Sequence, residues 1–458
     1  METTKFNYDY SKIMWMKMFL ATPDYQKNCS DVKINFEQAL QIIQIVDNLT
    51  QGIQKIVYLV GWQGLGHDDC YPEMEIVNPF LKRECDDTAR DSLLWLISEA
   101  KKYHTVVSVH GNISDEYEAN PSHQEMVEAG AIVKNADGSP AVIEVFNGRN
   151  AYKVSYKQYW ESGLFHKHWS RFCETVPVRE AGTVHLDNFC IAESFSPRTT
   201  MDEQNEARNA ILDYIQSQGI DVTSEYTYRE LSLRADSAGH PIRKFYAQNV
   251  DALPPQSDVS APIRTLGRIP ATWWTSSLSP EECMKIPASD YSGHLSGALG
   301  NVFYGDMHGE DIWLNHGIDP EAWVPFFLCE FCNYQLPYLY LNRFERLKLE
   351  KIDDSFNVTF SDGVESCGAD RSITKDGVPL KSGNDVILPL DEQNSIFIVY
   401  SETGRNGFWA MPDASFEKCL VYEITPEGNQ FLNTCRILNG GVELHVQAGQ
   451  ALVIKEDF

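Results

Sequence analysis

The sequence predicts an α/β protein: a TIM (β/α)8 barrel followed by a C-terminal antiparallel β-domain. Apolar, β-prone runs alternate with helical segments over roughly the first 340 residues, as the βα units of a barrel require. No glycine-rich phosphate-binding sequence follows an early run, which disfavours a doubly wound sheet. Past this region, short alternating runs lie between turn sequences such as SDG, KDG and NGG. We therefore expect a barrel over residues 1–345 and a β-sandwich-like domain over residues 346–458.

The barrel needs about eight strands, and the sequence offers about that number of candidates. Each is a short run rich in branched or aromatic apolar residues, ending near polar residues or glycine. In chain order they are KMFLA (17–21), KIVYLVG (55–61), HTVVSVHGN (104–112), VHLDNF (184–189), DVTSE (221–225), IPATWWT (269–275), GNVFYGD (300–306) and PYLYLN (337–342).

Helical segments separate many of these runs. Residues 36–49 repeat leucine, isoleucine and valine at helical spacing. Asp86 or Asp87 is expected to cap the next helix, because a carboxylate accepts hydrogen bonds from the free N–H groups of a first turn. Residues 157–176 and 201–219 are predicted to be helices that precede the fourth and fifth strands.

The composition excludes several classes of partner. Lys and Arg total 38 against 65 Asp and Glu, a formal net charge of -27. Such a charge repels nucleic acid and anionic membrane surfaces. No apolar run reaches about 18 residues, so no transmembrane helix is expected. The N-terminus lacks the pattern of a secretory signal, so a cytoplasmic location is expected.

The cysteines do not indicate a metal site. Cys329 and Cys332 form a CxxC sequence, but no second pair follows and their neighbours are apolar and aromatic. Buried thiols explain this arrangement better than zinc ligands. We expect no cofactor and no bound metal.

Two carboxylates occupy corresponding positions in the predicted barrel. Asp187 ends the run that contains Val184 and Leu186, where a core strand should carry no charge. Glu225 ends the next run, and one helix-sized segment lies between them. The carboxyl ends of parallel strands share one face of a sheet, so both acids should lie together. Arg229 follows as a possible partner for one of them. A pair of carboxylates at such a face is typical of glycoside hydrolysis.

Further polar and aromatic side chains follow the other predicted strands at the same face. A single histidine on a strand is more commonly a core residue, and we favour that interpretation for His185. The remaining candidates for contact with a ligand are Trp62, Gln63, His67, Asp68, His110, Asn112, Trp273 and Trp274. Tryptophans of this set could stack on the apolar face of a sugar, and Asp68 could accept hydrogen bonds from its hydroxyls.

Four motifs resemble a known family. GWQGLGHDD (61–69), SVHGN (108–112), HLDNF (185–189) and TSEYT (223–227) look like the catalytic barrel of the endo-α-N-acetylgalactosaminidase glycoside hydrolases and their exo-acting relatives. The similarity extends over about residues 10–345, and the GWQ and GHD sequences are its most specific part. The resemblance implies that Asp187 is the nucleophile and Glu225 the acid/base. It also implies contacts with the terminal sugar from Gln63, His67, Asp68 and His110.

We therefore expect a retaining hydrolase of α-linked galacto-configured sugars, most plausibly α-N-acetylgalactosaminides, with a carbohydrate substrate as its partner. Two alternatives stay open. In a metal-dependent barrel hydrolase, the ligands would come from His67, Asp68, His110, His185 and Asp187. Against this, the first strand lacks the HxH pair usual in such enzymes. In a noncatalytic sugar-binding barrel, one carboxylate would be expected to be lost, whereas both are present.

Overall fold

The computed structural model describes residues 7–8, 12–187, 191–224, 306–344, 346–352 and 355–457. The strands of its first part, in chain order, are β1 (Met14–Phe19), β2 (Ala21–Asp24), β3 (Cys29–Val32), β4 (Lys55–Val60), β5 (Thr105–Asn112), β6 (Asp115–Tyr117), β7 (Val142–Phe146), β8 (Arg149–Lys153), β9 (Thr183–Asp187), β10 (Ser194–Phe195), β11 (Arg198–Thr199), β12 (Asp221–Ser224) and β13 (Asp306–His308).

Six of these strands form a parallel sheet in the order β12-β9-β5-β4-β1-β13. Every neighbouring pair in it is parallel. The runs predicted at 17–21, 55–61, 104–112, 184–189 and 221–225 all contribute strands to this sheet. A closed barrel stays a prediction: IPATWWT and all but the last residue of GNVFYGD lie outside the described residues.

The central strands are buried on both faces. Every residue of β1 and β4 is buried. This explains why the runs are apolar throughout instead of alternating with polar residues, as parallel strands usually are. Lys17 is the one charged residue of β1, and it too is buried, with 4% of its surface exposed.

The helices are α1 (Phe36–Leu49), α2 (Ala89–Ala100), α3 (His123–Glu128), α4 (Tyr156–Glu161), α5 (Leu164–Thr175), α6 (Val178–Ala181), α7 (Met201–Ser217), α8 (Gly309–His316), α9 (Pro320–Glu330) and α10 (Leu336–Leu341). Within the described ranges, no helix combines the length and apolar character needed to cross a membrane.

Helix α2 begins later than the sequence suggested. Its N-cap is Thr88, whose hydroxyl accepts from the Asp91 N–H while the Asp91 carboxylate accepts from the Thr88 N–H. The expected cap at Asp86 or Asp87 is therefore wrong. Asp86 instead bonds Arg83, with its Oδ2 2.7 Å from Nε. The reciprocal bonds satisfy two free N–H groups, which a single aspartate would not do.

The helix predicted over residues 157–176 is divided into α4 and α5. Gly163, between them, has a φ of 80°, in the left-handed region. A helix cannot continue through this conformation, which glycine adopts without steric cost. The break sets α5 at a new angle, where Trp169 and Phe172 pack into the core.

The strand predicted at PYLYLN (337–342) is wrong, because these residues belong to α10. A π-helical turn over Phe331–Gln335 joins α9 to α10, so the chain stays helical across this region. Tyr338, Tyr340 and Leu341 are all buried. A short run that is apolar all round has no period that separates a buried helix from a buried strand, and its aromatic content favoured the strand.

The C-terminal part is antiparallel, as predicted. Ten strands form one sheet in the order β14-β15-β16-β17-β18-β19-β20-β25-β22-β23, and β21 pairs with β24. Their bounds are β14 (Arg346–Ile352), β15 (Ser355–Phe360), β16 (Val364–Cys367), β17 (Ser372–Lys375), β18 (Val378–Ser382), β19 (Asp385–Pro389), β20 (Ile396–Ser401), β21 (Arg405–Ala410), β22 (Lys418–Thr425), β23 (Gly428–Arg436), β24 (Gly441–Val446) and β25 (Gln450–Glu456).

The two sheets share a core. The cluster of buried apolar side chains that fills the parallel part also contains residues of the antiparallel sheet, including Val358, Leu388 and Val453. A second, smaller cluster around Trp409 and Phe397 lies where β21 and β24 pack on the antiparallel sheet. The predicted division of the chain into two domains at residue 345 therefore stays a prediction.

Glycine at position 61 allows the chain to turn at the end of β4. Gly61 has a φ of +74°, and a Cβ there would lie 2.2 Å from the carbonyl oxygen of Ala21. We expect Gly61→Ala to lower stability by about 2 to 5 kcal/mol, the left-handed backbone contributing about 1 to 2 and overpacking about 1 to 3. Gly138→Ala is the control, since its φ is +86° but nothing lies within 4 Å. Equal losses in urea unfolding would contradict the proposed close approach.

Candidate active site

The candidate site lies where β4, β5 and β9 end. After β4, the loop 61–69 is held against the start of β2, where the His67 N–H donates to the Ala21 carbonyl at 2.8 Å. The β5–β9 register places His110 beside His185 and Asn112 beside Asp187. The polar residues predicted after three separate strands are thus brought together by parallel pairing.

Asp187 and His110 form the centre of the site. His110 Nε2 lies 3.5 Å from Asp187 Oδ2, and the imidazole is 1% exposed. Among the described residues, no donor reaches Asp187 Oδ1. Burial by itself raises the pKa of this carboxyl, but the hydrogen bond and charge of His110, with the charges of Lys17 and His67, outweigh it. The net result is a pKa lowered to about 2. Asp187 is therefore an ionised carboxylate at neutral pH.

The imidazole of His185 packs beside that of His110, with ring centroids 5.1 Å apart. His185 Nδ1 lies 3.0 Å from the Thr223 hydroxyl on β12. His110 Nδ1 lies 3.5 Å from the Tyr71 hydroxyl. His185 is buried, as predicted for a core histidine, yet it also belongs to this cluster: His110, His185 and Asp187 each offer an atom within 4.8 Å of the others.

Asp68 is a second carboxyl of the site with the opposite shift. His67 Nε2 lies 3.4 Å from Asp68 Oδ2, and the His67 ring is 5.2 Å from that of His110. Burial, followed by the charges of Asp187 and Asp115, raises the pKa of Asp68 to about 7. Two nearby carboxyls whose pKa values are pushed apart are a common sign of a functional site.

Asn112 orients a third carboxyl. Its side-chain N–H donates to Asp115 Oδ2 at 2.7 Å, while its Oδ1 accepts from the Ser114 and Asp115 N–H groups. Burial raises the pKa of Asp115. The structure thus places the Asn112 amide in contacts within the protein, and its predicted contact with a sugar stays a prediction.

Trp62 and Gln63 are buried beneath the loop. The Trp62 indole packs on Phe172, and its Nε1 donates to the His110 carbonyl at 2.9 Å. Gln63 Nε2 donates to the Gly66 carbonyl at 3.0 Å. The Trp62 hydrogen bond joins the exits of β4 and β5, whereas the Gln63 hydrogen bond lies within the loop 61–69. Their predicted contacts with a sugar stay predictions, as does the stacking role of Trp62.

Three predicted residues lie outside the described residues: Glu225, Trp273 and Trp274. Glu225 directly follows Ser224, and Ser224 pairs with Leu186, the residue before Asp187. Its role as acid/base stays a prediction.

The sequence interpretation missed Lys17, Tyr71 and Asp115. Lys17 had a detectable signal, because a charge inside the apolar run MWMKMF needs a compensating partner just as Asp187 does. The positive charge of Lys17 acts to lower the pKa of both Asp187 and Asp68, although burial and the charges of Asp187 and Asp115 raise the pKa of Asp68 overall. Tyr71 and Asp115 had no such signal, since their positions depend on loops whose course follows from tertiary packing.

Part of the chain is similar to a family of glycoside hydrolases. The family model of endo-α-N-acetylgalactosaminidase, a family of glycoside hydrolases, matches residues 26–234. This match includes all four motifs that indicated the resemblance, which is thereby confirmed. The matched part of the chain is thus similar to the endo-α-N-acetylgalactosaminidases.

Individual proteins are also similar to this chain, the solved structures at the level of the fold. A protein of Renibacterium salmoninarum with the provisional name endo-α-N-acetylgalactosaminidase is 24% identical over 224 residues, covering 40% of this chain and 14% of that protein. The ligand-free α-N-acetylgalactosaminidase NagBb of Bifidobacterium bifidum has a TM-score of 0.50 at 14% identity, covering 80% of this chain and 58% of that one. Its quadruple mutant gives 0.50 at 13%, covering 79% and 57%. The chain therefore spans less than two thirds of these relatives.

The opposite shifts of Asp68 and Asp187 predict how stability depends on pH. The folded-state pKa of Asp68 is raised to about 7. Its protonated form therefore contributes fully to folding stability below about pH 4, and this stability is lost as the pH rises through about 7. Asp187, lowered to about 2, contributes above about 4 and loses this only as pH falls toward 2. Asp68→Asn should therefore gain in Tm relative to wild type between pH 5.5 and 8.5, by at least about 2 °C.

The control for this measurement is Asp213→Asn, on the exposed face of α7. Its Tm difference from wild type should be the same at both pH values. Tm is measured by calorimetry. If the Tm difference between Asp68→Asn and wild type is also the same at both pH values, the raised pKa of Asp68 is contradicted.

Proposed function

We propose that the protein is a retaining glycoside hydrolase that cleaves α-linked galacto-configured sugars, with α-N-acetylgalactosaminides as the principal substrates. The observation that carries this proposal is the position of the Asp187 carboxyl at the end of β9, with Oδ2 3.5 Å from His110 Nε2. The relationship to α-N-acetylgalactosaminidases supports the substrate class.

In the proposed reaction, a carboxylate oxygen of Asp187 attacks the anomeric carbon as the bond to the leaving oxygen breaks. Glu225 gives its proton to that oxygen, and then takes a proton from the water that cleaves the glycosyl ester. The hydroxyl group of that water is added to the anomeric carbon, Glu225 keeps the proton, and Asp187 is released as a carboxylate. Two inversions give net retention of configuration.

The electrostatics of the described residues fit these roles. A nucleophile must be ionised, and the pKa of Asp187, lowered to about 2, leaves this carboxyl ionised at neutral pH. It cannot also be the acid, so a second carboxyl must supply the proton. Glu225 suits this role because of its position in the sequence. Ser224, the residue before Glu225, pairs with Leu186, the residue before Asp187.

Asp68 fits recognition of the sugar. Its carboxyl is close enough to Asp187 for the charge of Asp187 to raise the pKa of Asp68, and it lies 3.4 Å from His67 Nε2. A carboxylate accepts hydrogen bonds from hydroxyl groups, including an axial 4-hydroxyl. Leaving such a buried acceptor without its partner costs about 1 to 3 kcal/mol, which gives a physical basis for selecting the galacto epimer.

The roles of the two acids are testable by substitution. Asp187→Asn should reduce turnover on all substrates to below a few per cent, because no covalent intermediate can form. Glu225→Gln should spare aryl glycosides with good leaving groups far more than poor ones, and azide should restore deglycosylation as a glycosyl azide. Asp213→Asn is the control and should keep full activity. Appreciable turnover by Asp187→Asn, or an equal loss on both substrate types in Glu225→Gln, would refute the assignment.

Specificity and stereochemistry test the function as a whole. Aryl α-N-acetylgalactosaminide or α-galactoside should be hydrolysed at least about tenfold faster than the gluco epimers, equivalent to about 1.4 kcal/mol. Proton NMR should show the α anomer as the first product. Early β product would mean inversion, with carboxyls about 6.5 to 9.5 Å apart instead of about 5 to 5.5 Å. Activity only on β-linked sugars would exclude the proposed substrate class.

A further inference from the structure

We propose that His110, His185 and Asp187 form a binding site for a divalent transition-metal ion, with Zn²⁺ the best match, and that an ion bound there blocks the nucleophile. These three side chains each present a ligand atom within 4.8 Å of the other two. Two imidazoles and one carboxylate are a ligand set that Zn²⁺ accepts, with an open fourth position.

The spacing needs little adjustment. Ligand distances of about 2.0 to 2.2 Å around a tetrahedral ion imply separations between ligand atoms of about 3.3 to 3.5 Å. His110 Nε2 and Asp187 Oδ2 are already 3.5 Å apart. The separations that involve His185 lie within 4.8 Å, so its ring must move closer to the other two ligand atoms to bind the same ion. The two histidines pair across β5 and β9, so the sheet itself fixes their separation.

The outer contacts of both imidazoles match those of a metal site. The Thr223 hydroxyl lies 3.0 Å from His185 Nδ1, so the ligand atom assigned to His185 is Nε2. The Tyr71 hydroxyl lies 3.5 Å from His110 Nδ1, so the ligand atom assigned to His110 is also Nε2. Metal-binding histidines commonly use their second nitrogen in this way, which orients the ring and raises ligand affinity.

The surrounding side chains include groups of both charges. Asp68 and Asp115 lie close enough to Asp187 to be affected by its charge, and each adds negative charge where it is ionised. Lys17 and His67 carry or can carry positive charge here and oppose binding. The partial exposure of Asp187, 14% of its side chain, gives an ion access from the rim.

A bound ion would stop catalysis. Coordination uses the carboxylate lone pair that must attack the anomeric carbon, and it places the ion where the sugar would lie. Zn²⁺ should therefore inhibit competitively with substrate. This inhibitory effect rests on the proposed function, whereas binding of the ion does not, so the two can fail separately.

Binding is tested by titrating the EDTA-treated, dialysed full chain with ZnCl₂ in a calorimeter, without substrate. One site with a Kd below about 10 µM is expected. His185→Asn and Asp187→Asn should each weaken binding by at least about tenfold, and Thr223→Val by about tenfold, as outer-shell changes do. His445→Asn, an exposed histidine of β24, is the control and should bind as wild type. Thermal unfolding of each variant without metal establishes that it folds.

The outcomes separate the claims. Absence of stoichiometric binding, or binding that is unchanged in both His185→Asn and Asp187→Asn, would overturn the metal site. Substrate competition by Zn²⁺ that EDTA reverses would support the inhibitory effect. Activation by Zn²⁺ would overturn it and favour the metal-dependent hydrolase. A third outcome is that the wild-type protein binds zinc, His185→Asn does not, and the metal-free wild type hydrolyses no glycoside. This result would support the metal site and refute the proposed function.

Discussion

The pairing of His110 with a buried, ionised Asp187 is the interaction on which the site depends. A carboxylate removed from water is strongly destabilised unless charges or donors replace its hydration. His110 supplies most of this compensation, and Lys17 and His67 add to it. The structure around His110 is correspondingly fixed: its carbonyl accepts from Trp62, and its strand pairs with β9 along the edge that carries Asp187.

Parallel pairing accounts for the convergence of residues far apart in the chain. The strand exits of β4, β5 and β9 are neighbours in space although more than a hundred residues separate the first from the last. Side chains at those exits meet without any local sequence relation. The interior of the sheet can then stay apolar while its carboxyl end collects charge, and Lys17 is the one charged side chain of β1, buried near that end.

Much of this arrangement was predictable from the sequence. The β-prone runs identified five strands of the parallel sheet, and an unexplained acid at the end of an apolar run identified Asp187. The failures have physical causes. PYLYLN is buried on all sides, so its sequence has no period to distinguish helix from strand. Trp62 and Asn112 were correctly placed at strand exits, but sequence position does not reveal whether a side chain points to ligand or bonds to protein.

The shared core has a consequence for how this chain can change over time. Val358 and Leu388 pack into the same apolar cluster as the helices of the parallel part, and Asn48 of α1 donates to the Pro426 carbonyl. A substitution on one side of that boundary alters the volume available on the other. The antiparallel sheet is therefore not an exchangeable module: the two parts must be inherited and diversify together, with compensating changes spread across both.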